Sequence, residues 1–423
     1  MSDTLAAIAT LPLPPPAQRR RRRLAVLALP KRHLGLTVFA VISLLVSMSL
    51  SQTTSFEVGS LQYWLLVVPS ALLPLIDIQR IAKALMGPAR LLLIMALAAG
   101  AWHVLRGDAR AAIQMSLLVL VLTWISTPVA RLRINDLVVL YLALIIIGIG
   151  VNLLTDFSPY GLIPGRTIEE FGPGRVSFFP NVAYTGILSL AMLMVLTKDR
   201  KTAKAHSAVL VLALYFLLFS VVRTATIGFV LYVGTRWWLE RHRKASARTM
   251  YLVAIVVGIG ATVLIATSAV LIEALQQVPY VSDLLLQGKS DLTAEEILKQ
   301  MYRPWLWLQQ LELFATSPGL MGWGSFDFIE VTVGAVDESQ IVSAGSEALP
   351  TRLLSAYGLA GLVFTVYLVR RVGLLAKVGD RWACACFPAI CLLMMNWGSV
   401  FHPTDALFAI FLLMIVRGTR AFN

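Results

Sequence analysis

The stretch LVVLYLALIIIGIGVNLL, from Leu137 to Leu154, contains 18 residues and no charged side chain. A segment this long and this apolar is expected to cross the roughly 30 Å hydrocarbon core of a bilayer as a helix. Similar apolar runs recur along the chain and are separated by short basic loops. The runs are continuous and do not alternate between apolar and polar residues, so they do not predict a transmembrane β-barrel. The pattern therefore predicts a polytopic helical membrane protein.

Composition supports the same class. Of the 423 residues, 58% are hydrophobic and only 14% are charged, whereas a soluble domain has about 25% charged residues. The formal net charge of +13 would favour nucleic-acid binding in a soluble protein. Here the charge is explained by cytoplasmic loops, where Lys and Arg accumulate, and no nucleic-acid partner is predicted. Three cysteines (Cys384, Cys386 and Cys391) share one apolar run, which predicts buried thiols rather than a disulfide framework.

The positions of the basic loops predict an all-α fold of about twelve transmembrane helices with both termini inside. The five-arginine run Arg19–Arg23 predicts that the tail, residues 1–33, is cytoplasmic. Helices one to nine are assigned to residues 34–271, a large outer loop to residues 272–350, and helices ten to twelve to residues 351–423. The predicted spans lie near Leu34–Leu50, Leu61–Ile76, Leu91–Val104, Ala111–Ala130, Leu137–Leu154, Asn181–Leu196, Ala208–Val222, Ala225–Trp238, Tyr251–Leu271, Leu353–Val369, Trp382–Val400 and Thr404–Val416.

The large outer loop is predicted to contain amphipathic helices of its own. Pro304 biases Arg303 away from helical geometry and favours the start of a helix over Pro304–Ala315, since proline is well placed in a first turn. The glycine-rich segment Gly319–Gly324 then predicts a turn whose backbone N–H groups add donors to an anion site.

Arginines beside the predicted spans are candidate ligands for an anion. Arg223 lies between two apolar runs on the outer side, where an arginine is costly and usually has a partner or a function; contact with lipid headgroups is the alternative. Arg303 is placed at the predicted helix break, and Arg175 precedes the sixth span, where a role as a loop-to-helix hinge is the alternative. Arg166 and Arg352 are secondary candidates. Guanidinium groups bind phosphate through two hydrogen bonds, so this set predicts a lipid-linked diphosphate ligand.

Glu347 is the candidate general base. It lies just before the tenth predicted span, and a carboxylate at an apolar rim can have a raised pKa and accept a proton. Compensation of a helix dipole is the alternative role. His402, at the outer tip of the last predicted hairpin, is the fallback base. No metal-ligand spacing and no ATP-binding loop is found, so neither a metal nor a cofactor is predicted.

Four short motifs occur in an order that resembles a known family. They are Gly174–Tyr184 (GRVSFFPNVAY), Val222–Ala225 (VRTA), Arg303–Trp307 with Ser317–Phe326 (RPWLW, SPGLMGWGSF), and Ser346–Leu349 with Leu354–Gly361 (SEAL, LSAYGLAG). Together they resemble the O-antigen ligase and Wzy-type polysaccharide polymerase superfamily of bacterial envelope glycosyltransferases. The resemblance runs from about the fifth predicted span to the tenth.

The resemblance implies an inner-membrane, metal-independent, inverting transferase of the GT-C type with a periplasmic active site. Its donor and acceptor would be glycans on undecaprenyl diphosphate. Arg223 and Arg303 would hold the diphosphate, with Arg175 as a third contact, and Glu347 would deprotonate the acceptor hydroxyl. Membrane lipid, a chain-length co-polymerase and export proteins are the implied partners.

Three functions are compatible with these motifs. Ligases of the family usually have His-Asn where this chain has Ser346-Glu347, so the resemblance is greatest to an exopolysaccharide polymerase, of the xanthan-repeat type. An O-antigen ligase that transfers glycan to lipid A core is the first alternative. A flippase for lipid-linked oligosaccharides is the second, although it would be expected to have internal repeats and a central charged cavity.

Overall fold

The structure, a computed structural model, describes residues 86–87, 89–126, 131–155, 175–178, 182–267, 303–324, 328–332, 341–345, 348–396 and 406–422. The predicted cytoplasmic tail and the first two predicted spans lie outside these residues. All of the predicted outer loop before Arg303, residues 272–302, also lies outside them.

Helices dominate the described chain, because apolar runs of this kind satisfy their backbone hydrogen bonds within one segment. The helices are α1 (Arg90–Leu105), α2 (Ala109–Ser126), α3 (Ile134–Thr155), α4 (Val182–Leu196), α5 (Arg200–Ala205), α6 (Ser207–Phe219), α7 (Arg223–Arg241), α8 (Ala247–Thr267), α9 (Arg303–Thr316), α10 (Leu349–Tyr357), α11 (Leu359–Lys377), α12 (Arg381–Asn396) and α13 (Ala406–Arg417). Short 3₁₀ segments cover Pro318–Leu320 and Gly418–Ala421. The predicted predominance of helix is confirmed.

Two of the described helices are long and apolar enough to span a membrane: Ala247–Leu264 within α8, and α11. Apolar but shorter segments are α1, Ile134–Gly150 within α3, α4, α6 and α12. Each of these overlaps a predicted span. The number of spans and their orientation in a membrane stay predictions.

The tenth predicted span, Leu353–Val369, is wrong as a single helix. Gly358 separates α10 from α11 with φ 58° and ψ −131°, a conformation that favours glycine. A Cβ at this position would lie 1.9 Å from the carbonyl oxygen of Leu320. The chain therefore bends where the turn around Leu320 approaches its backbone, and the apolar run is divided between two helices.

Two further local predictions need correction. Arg303 is the first residue of α9, although the following proline was expected to keep it out of helical geometry. Proline in a first turn removes only an N–H that the helix leaves unpaired, so α9 can begin one residue earlier. The all-α prediction also missed an antiparallel hairpin of β1 (Phe328–Thr332) and β2 (Ile341–Gly345), which is paired from Phe328 with Gly345 to Thr332 with Ile341.

Helix α12 lies in the core of the bundle, with nearly all its residues buried, and packs between α7 and α8. Glycines permit the close approach. Gly228 of α7 faces Ala389, and Gly258 of α8 faces Pro388 and Cys391. Small residues at helix contacts are typical of membrane bundles, where close packing replaces the hydrophobic effect. The three cysteines lie on this helix as free thiols, two of them buried, as predicted.

The basic loops meet at one end of the bundle. This basic end comprises residues 131–133, 197–201, 241–248, 377–381 and 417–422. The hydrogen bonds that join it run from Leu132 N–H to Ala421 O, Lys198 Nζ to Phe422 O, Arg371 to Val416 O, Arg381 to Arg243 O, and Thr419 N–H to Asp380 Oδ2. The loops that the sequence assigns to the cytoplasm are therefore neighbours in space.

The opposite end of the bundle contains the segments that the sequence singled out for function. Helices α7 and α11 both finish at the basic end, so their first residues, Arg223 and Leu359, lie at the other end. The turn between α1 and α2 lies there too, because the Arg106 guanidinium stands 5.6 Å from the centre of the Trp323 ring. We call this the site end.

Candidate functional site

Arg223 begins α7 and follows a strained turn. Val221 has a φ of 53°, a left-handed conformation that β-branched residues rarely adopt. The turn is pressed against α4: a Cβ at Gly186 would lie 2.8 Å from both Ser220 Oγ and Val222 Cβ. Strain of this kind persists only where the surrounding structure imposes it, and it is concentrated at functional sites. The Arg223 side chain is half-buried at the start of its helix.

Arg175 approaches the same turn from a distant part of the sequence. The N–H of Val176 donates to the carbonyl oxygen of Phe219, the last residue of α6, at 2.8 Å. The buried ring of Phe178 anchors this segment against α6. Since Phe219 precedes Arg223 by only four residues, the fold brings the two predicted arginines to neighbouring backbone segments. Both side chains are half-buried.

The glycine-rich turn docks on the end of α10. Its N–H groups are used internally: Leu320 donates to Ser317 O, Met321 to Pro318 O, Gly322 to Ser317 Oγ, Trp323 to Ser355 O and Gly324 to Ala356 O. The prediction that these groups provide donors to an anion is therefore wrong for residues 320–324. Backbone groups that leave water must be paired; here the turn itself pairs the N–H groups of residues 320–322, and docking against α10 pairs those of Trp323 and Gly324.

A buried histidine lies beneath this turn. His103 is fully buried at the end of α1, and its ring meets Tyr357 edge-on with centroids 5.9 Å apart. Its ring nitrogens face the backbone of Met321 and Ala356, but neither nitrogen makes a hydrogen bond within the described chain. Asp108 caps the start of α2 through the N–H of Ala111 at 2.9 Å. The α1–α2 turn thus supports the glycine turn from below.

Arg352 stands on α10, close to the docked turn. Its side chain is half-buried, and no described residue forms a hydrogen bond or an ion pair with its guanidinium. Burial lowers the pKa of Arg352, while nearby Tyr357 opposes that shift; an arginine nevertheless stays charged in proteins. Helix α10 is fixed to α9 by a hydrogen bond from Thr351 Oγ1 to the buried Gln310 Oε1. Arg352, a secondary candidate in the sequence, thus lies at the site end on a helix that is held in place by α9.

Several predicted site residues lie outside the described residues. These are the candidate base Glu347, the fallback base His402 and the secondary arginine Arg166. Arg303 is described only as the first residue of α9, and its side chain is not described. The structure therefore places the backbone of Arg175 beside the turn that precedes Arg223, and Arg352 on the helix against which the glycine turn docks. The roles of all the predicted site residues stay predictions.

A cavity lies at the basic end, away from these arginines. It measures about 490 Å³ and is lined by Arg133, Ile134, Asn135, Lys201, Thr202, Ala205 and His206. In the same described part, no three His, Cys, Asp or Glu side chains come together as metal ligands. The site end instead presents arginines and an exposed aromatic residue on docked turns.

Sequence reasoning did not single out His103, Asp108, Trp323 or Tyr357 as site residues, although Trp323 and Tyr357 lie within the quoted motifs. A histidine inside an apolar run was the one available signal for His103, because buried polar groups need a reason to be there. The contacts between the α1–α2 turn and the glycine turn join residues more than 200 positions apart, and no local pattern encodes such a pairing.

With the geometry in place, the fold defines a helical bundle in which two of the described helices are long and apolar enough to span a membrane. Arg175, Arg223 and Arg352 lie at the end opposite its basic loops. Comparison with models of known protein families gives no match, and no curated protein is similar enough to be recognised as a relative.

Proposed function

We propose that this protein is a polytopic membrane glycosyltransferase. It joins undecaprenyl-diphosphate-linked oligosaccharide repeat units into an exopolysaccharide at the periplasmic face of the bacterial inner membrane. The proposal takes the site end as periplasmic and the basic end as cytoplasmic, in keeping with the positive-inside rule.

The observation that carries the proposal is that the backbone segments of Arg175 and Arg223 are neighbours at one strained turn. Two half-buried guanidinium groups, both at the end opposite the basic loops, form a suitable receptor for a diphosphate whose lipid remains in the bilayer. Arginine binds phosphate oxygens through paired hydrogen bonds, and Arg352 offers a further cation at the same end. A soluble anion would not require its ligands to emerge from apolar helices.

The proposed reaction needs no external energy. The acceptor hydroxyl oxygen attacks the anomeric carbon of the donor, the bond from that carbon to the phosphate oxygen breaks, and the configuration inverts. Glu347 takes the hydroxyl proton. The arginines stabilise the negative charge that develops on the leaving undecaprenyl diphosphate, which is electrostatic stabilisation of a transition state.

The test is incubation of the purified protein, in nanodiscs, with a lipid-linked oligosaccharide repeat unit. A ladder of lengthened glycans supports the proposal. Transfer to added lipid A core would assign a ligase, and transport of an unchanged glycan would assign a flippase. Either result overturns the polymerase assignment.

The base is tested separately. Glu347→Gln should abolish the ladder while the protein remains folded, and Glu312→Gln, the same change at an exposed position of α9, should leave it intact. A wild-type ladder from Glu347→Gln would reject the base assignment without rejecting the diphosphate site.

A further inference from the structure

Trp323 is an exposed aromatic ring held in one fixed position. Its side chain is 41% exposed, yet its indole N–H donates to Leu313 O at 2.8 Å and its backbone N–H to Ser355 O at 2.9 Å. Tryptophan is enriched among the residues that dominate binding energies, and rigid placement reduces the entropy cost of binding.

The glycines on both sides of Trp323 allow no side chain. Gly322 has φ 84°, and a Cβ there would lie 2.2 Å from Ala356 O. Gly324 has φ 99°, and a Cβ there would lie 2.1 Å from Asp108 Oδ2. The backbone must therefore approach α10 and the α1–α2 turn closely, and this approach sets the position of the indole.

Polar groups border the ring. The Arg106 guanidinium stands 5.6 Å from the ring centre, within the range of a cation–π contact. The Asp108 carboxylate lies against Gly324, the next residue. An exposed aromatic ring with a guanidinium over one face and a carboxylate beside the next residue matches a pyranose ring, whose C–H groups form an apolar face and whose hydroxyls lie around the edge.

We propose that Trp323, with the Arg106 guanidinium over one face of its ring and Asp108 beside the neighbouring Gly324, is a sugar-binding subsite that holds one pyranose ring of the glycan. The subsite rests on the proposed function, because it names where the carbohydrate part of that substrate lies. It is separate from the diphosphate arginines, which come from other segments of the chain.

A lipid headgroup is the competing ligand, since tryptophans are also common at membrane interfaces. Interfacial tryptophans lie with the indole N–H free to bond headgroups or water. In this protein the N–H of Trp323 is already bonded to Leu313 O, and the ring face away from the Arg106 guanidinium is the part left for a ligand. The geometry therefore favours a ligand that stacks.

The experiment uses ¹⁹F NMR of the full chain labelled with 5-fluorotryptophan, in nanodiscs. The chain has ten tryptophans, so Trp323→Phe and Trp237→Phe are used to assign two resonances. Trp237 is the matched control, because it is 59% exposed and the Arg241 guanidinium stands 5.4 Å from its ring centre, but it lies at the opposite end of α7 from Arg223. The ligand used is cellopentaose, whose β-linked rings have flat C–H faces.

The Trp323 resonance should shift saturably with cellopentaose while the Trp237 resonance stays still. Trp323→Ala should weaken cellopentaose binding at least tenfold by calorimetry, and Arg106→Gln at least threefold, with Arg241→Gln unchanged. An unmoved Trp323 resonance, or equal shifts of both resonances, would overturn the subsite. Broadening of the Trp323 resonance by a spin-labelled lipid, without any response to cellopentaose, would identify a membrane anchor and also overturn it.

Failure of the subsite and failure of the proposed function give different results. If the protein binds cellopentaose at Trp323 but leaves lipid-linked repeat units unchanged, the subsite is supported and the polymerase function is rejected. The opposite result is a glycan ladder that forms equally well with Trp323→Ala, together with a wild-type Trp323 resonance that does not respond to cellopentaose. That result would support the polymerase and reject the subsite.

Discussion

Gly322 lies so close to Ala356 that a Cβ at position 322 would stand 2.2 Å from the Ala356 carbonyl oxygen and 2.4 Å from its carbon. Gly322→Ala should therefore undock the glycine turn from α10. Gly379→Ala is the matched control, because Gly379 has a similar φ of 76° and no atom within 4 Å of the added Cβ. The control should lose about 1–2 kcal/mol for the left-handed conformation alone.

The free energy of unfolding should fall by a further amount of about 1–3 kcal/mol in Gly322→Ala, because the added atom meets backbone that cannot move aside. Thermal midpoints in detergent give the comparison. Equal losses in the two variants would show that the turn is not packed against α10 as described.

Arg223→Lys should reduce glycan polymerisation at least tenfold, because lysine replaces the two-pronged guanidinium with a point charge. Arg243→Lys, an exposed position at the basic end, should stay within about twofold of wild type. The measurement is the initial rate with a lipid-linked repeat unit, with the thermal midpoint recorded for each variant.

Arg175→Lys and Arg223→Lys should be non-additive in that same assay, since both groups are expected to hold one diphosphate. An interaction energy near zero in the double-mutant cycle would mean that the arginines act independently. That outcome would remove the shared diphosphate site while leaving the fold unaffected.

Val221→Asn should raise the thermal midpoint, by an amount equivalent to about 1 kcal/mol, because asparagine tolerates the left-handed region that valine resists. Val221→Ile keeps the β-branched side chain at φ 53° and should give no gain. A loss of stability in Val221→Asn would show that the side-chain contacts of Val221 matter more than its backbone strain. If the strained backbone positions Arg223, the stabilised variant should also join glycan repeat units at a lower initial rate.

Asp199 caps the short helix α5 by accepting hydrogen bonds from Thr202 N–H at 2.8 Å and from Thr202 Oγ1 at 3.0 Å. Burial alone would raise the pKa of Asp199, but these hydrogen bonds and the charge of Lys198 outweigh it, so the pKa lies below the ordinary 3.8. A lowered pKa means that the cap stabilises the protein above pH 3.8 and that this contribution is lost as the pH falls through the lowered pKa.

Asp199→Ala should therefore cost about 0.5 kcal/mol at pH 7, the low end for an exposed cap. The difference from wild type should vanish in strongly acidic buffer. Thermal midpoints from pH 7 downward test this, and a difference that grows in acid would contradict the sign.

Much of the architecture was predictable because apolar length is a local property. The run Leu137–Leu154 is found within α3 (Ile134–Thr155), and the sixth predicted span ends at Leu196, as α4 does. Predictions failed where a contact from a distant segment decided the backbone. Gly358 divides one apolar run because Leu320 approaches it, and the pairing of β1 with β2 depends on cross-strand contacts rather than on either strand alone.

The candidate site divides in the same way. Arg175, Arg223 and Arg352 were identifiable because arginine beside apolar runs is costly wherever the chain folds. Their grouping was not identifiable, because Val176 reaches Phe219 through a single hydrogen bond between distant segments. The role of the glycine turn was not identifiable either. Its N–H groups were predicted as donors to an anion, but in the fold those of residues 320–324 are paired within the protein.

The sequence by itself determined the helical class, the basic loops and the residue types suited to a lipid-linked diphosphate, because these follow from hydrophobicity and charge along a local stretch. Only the tertiary structure decided that those loops meet at one end, that the backbone segments of Arg175 and Arg223 are neighbours at the other, and that Gly324, next to Trp323, packs against Asp108 and His103. The physical reason is that such meetings depend on close packing between segments far apart in the chain, where a missing Cβ at Gly322 or Gly358 decides which surfaces can touch.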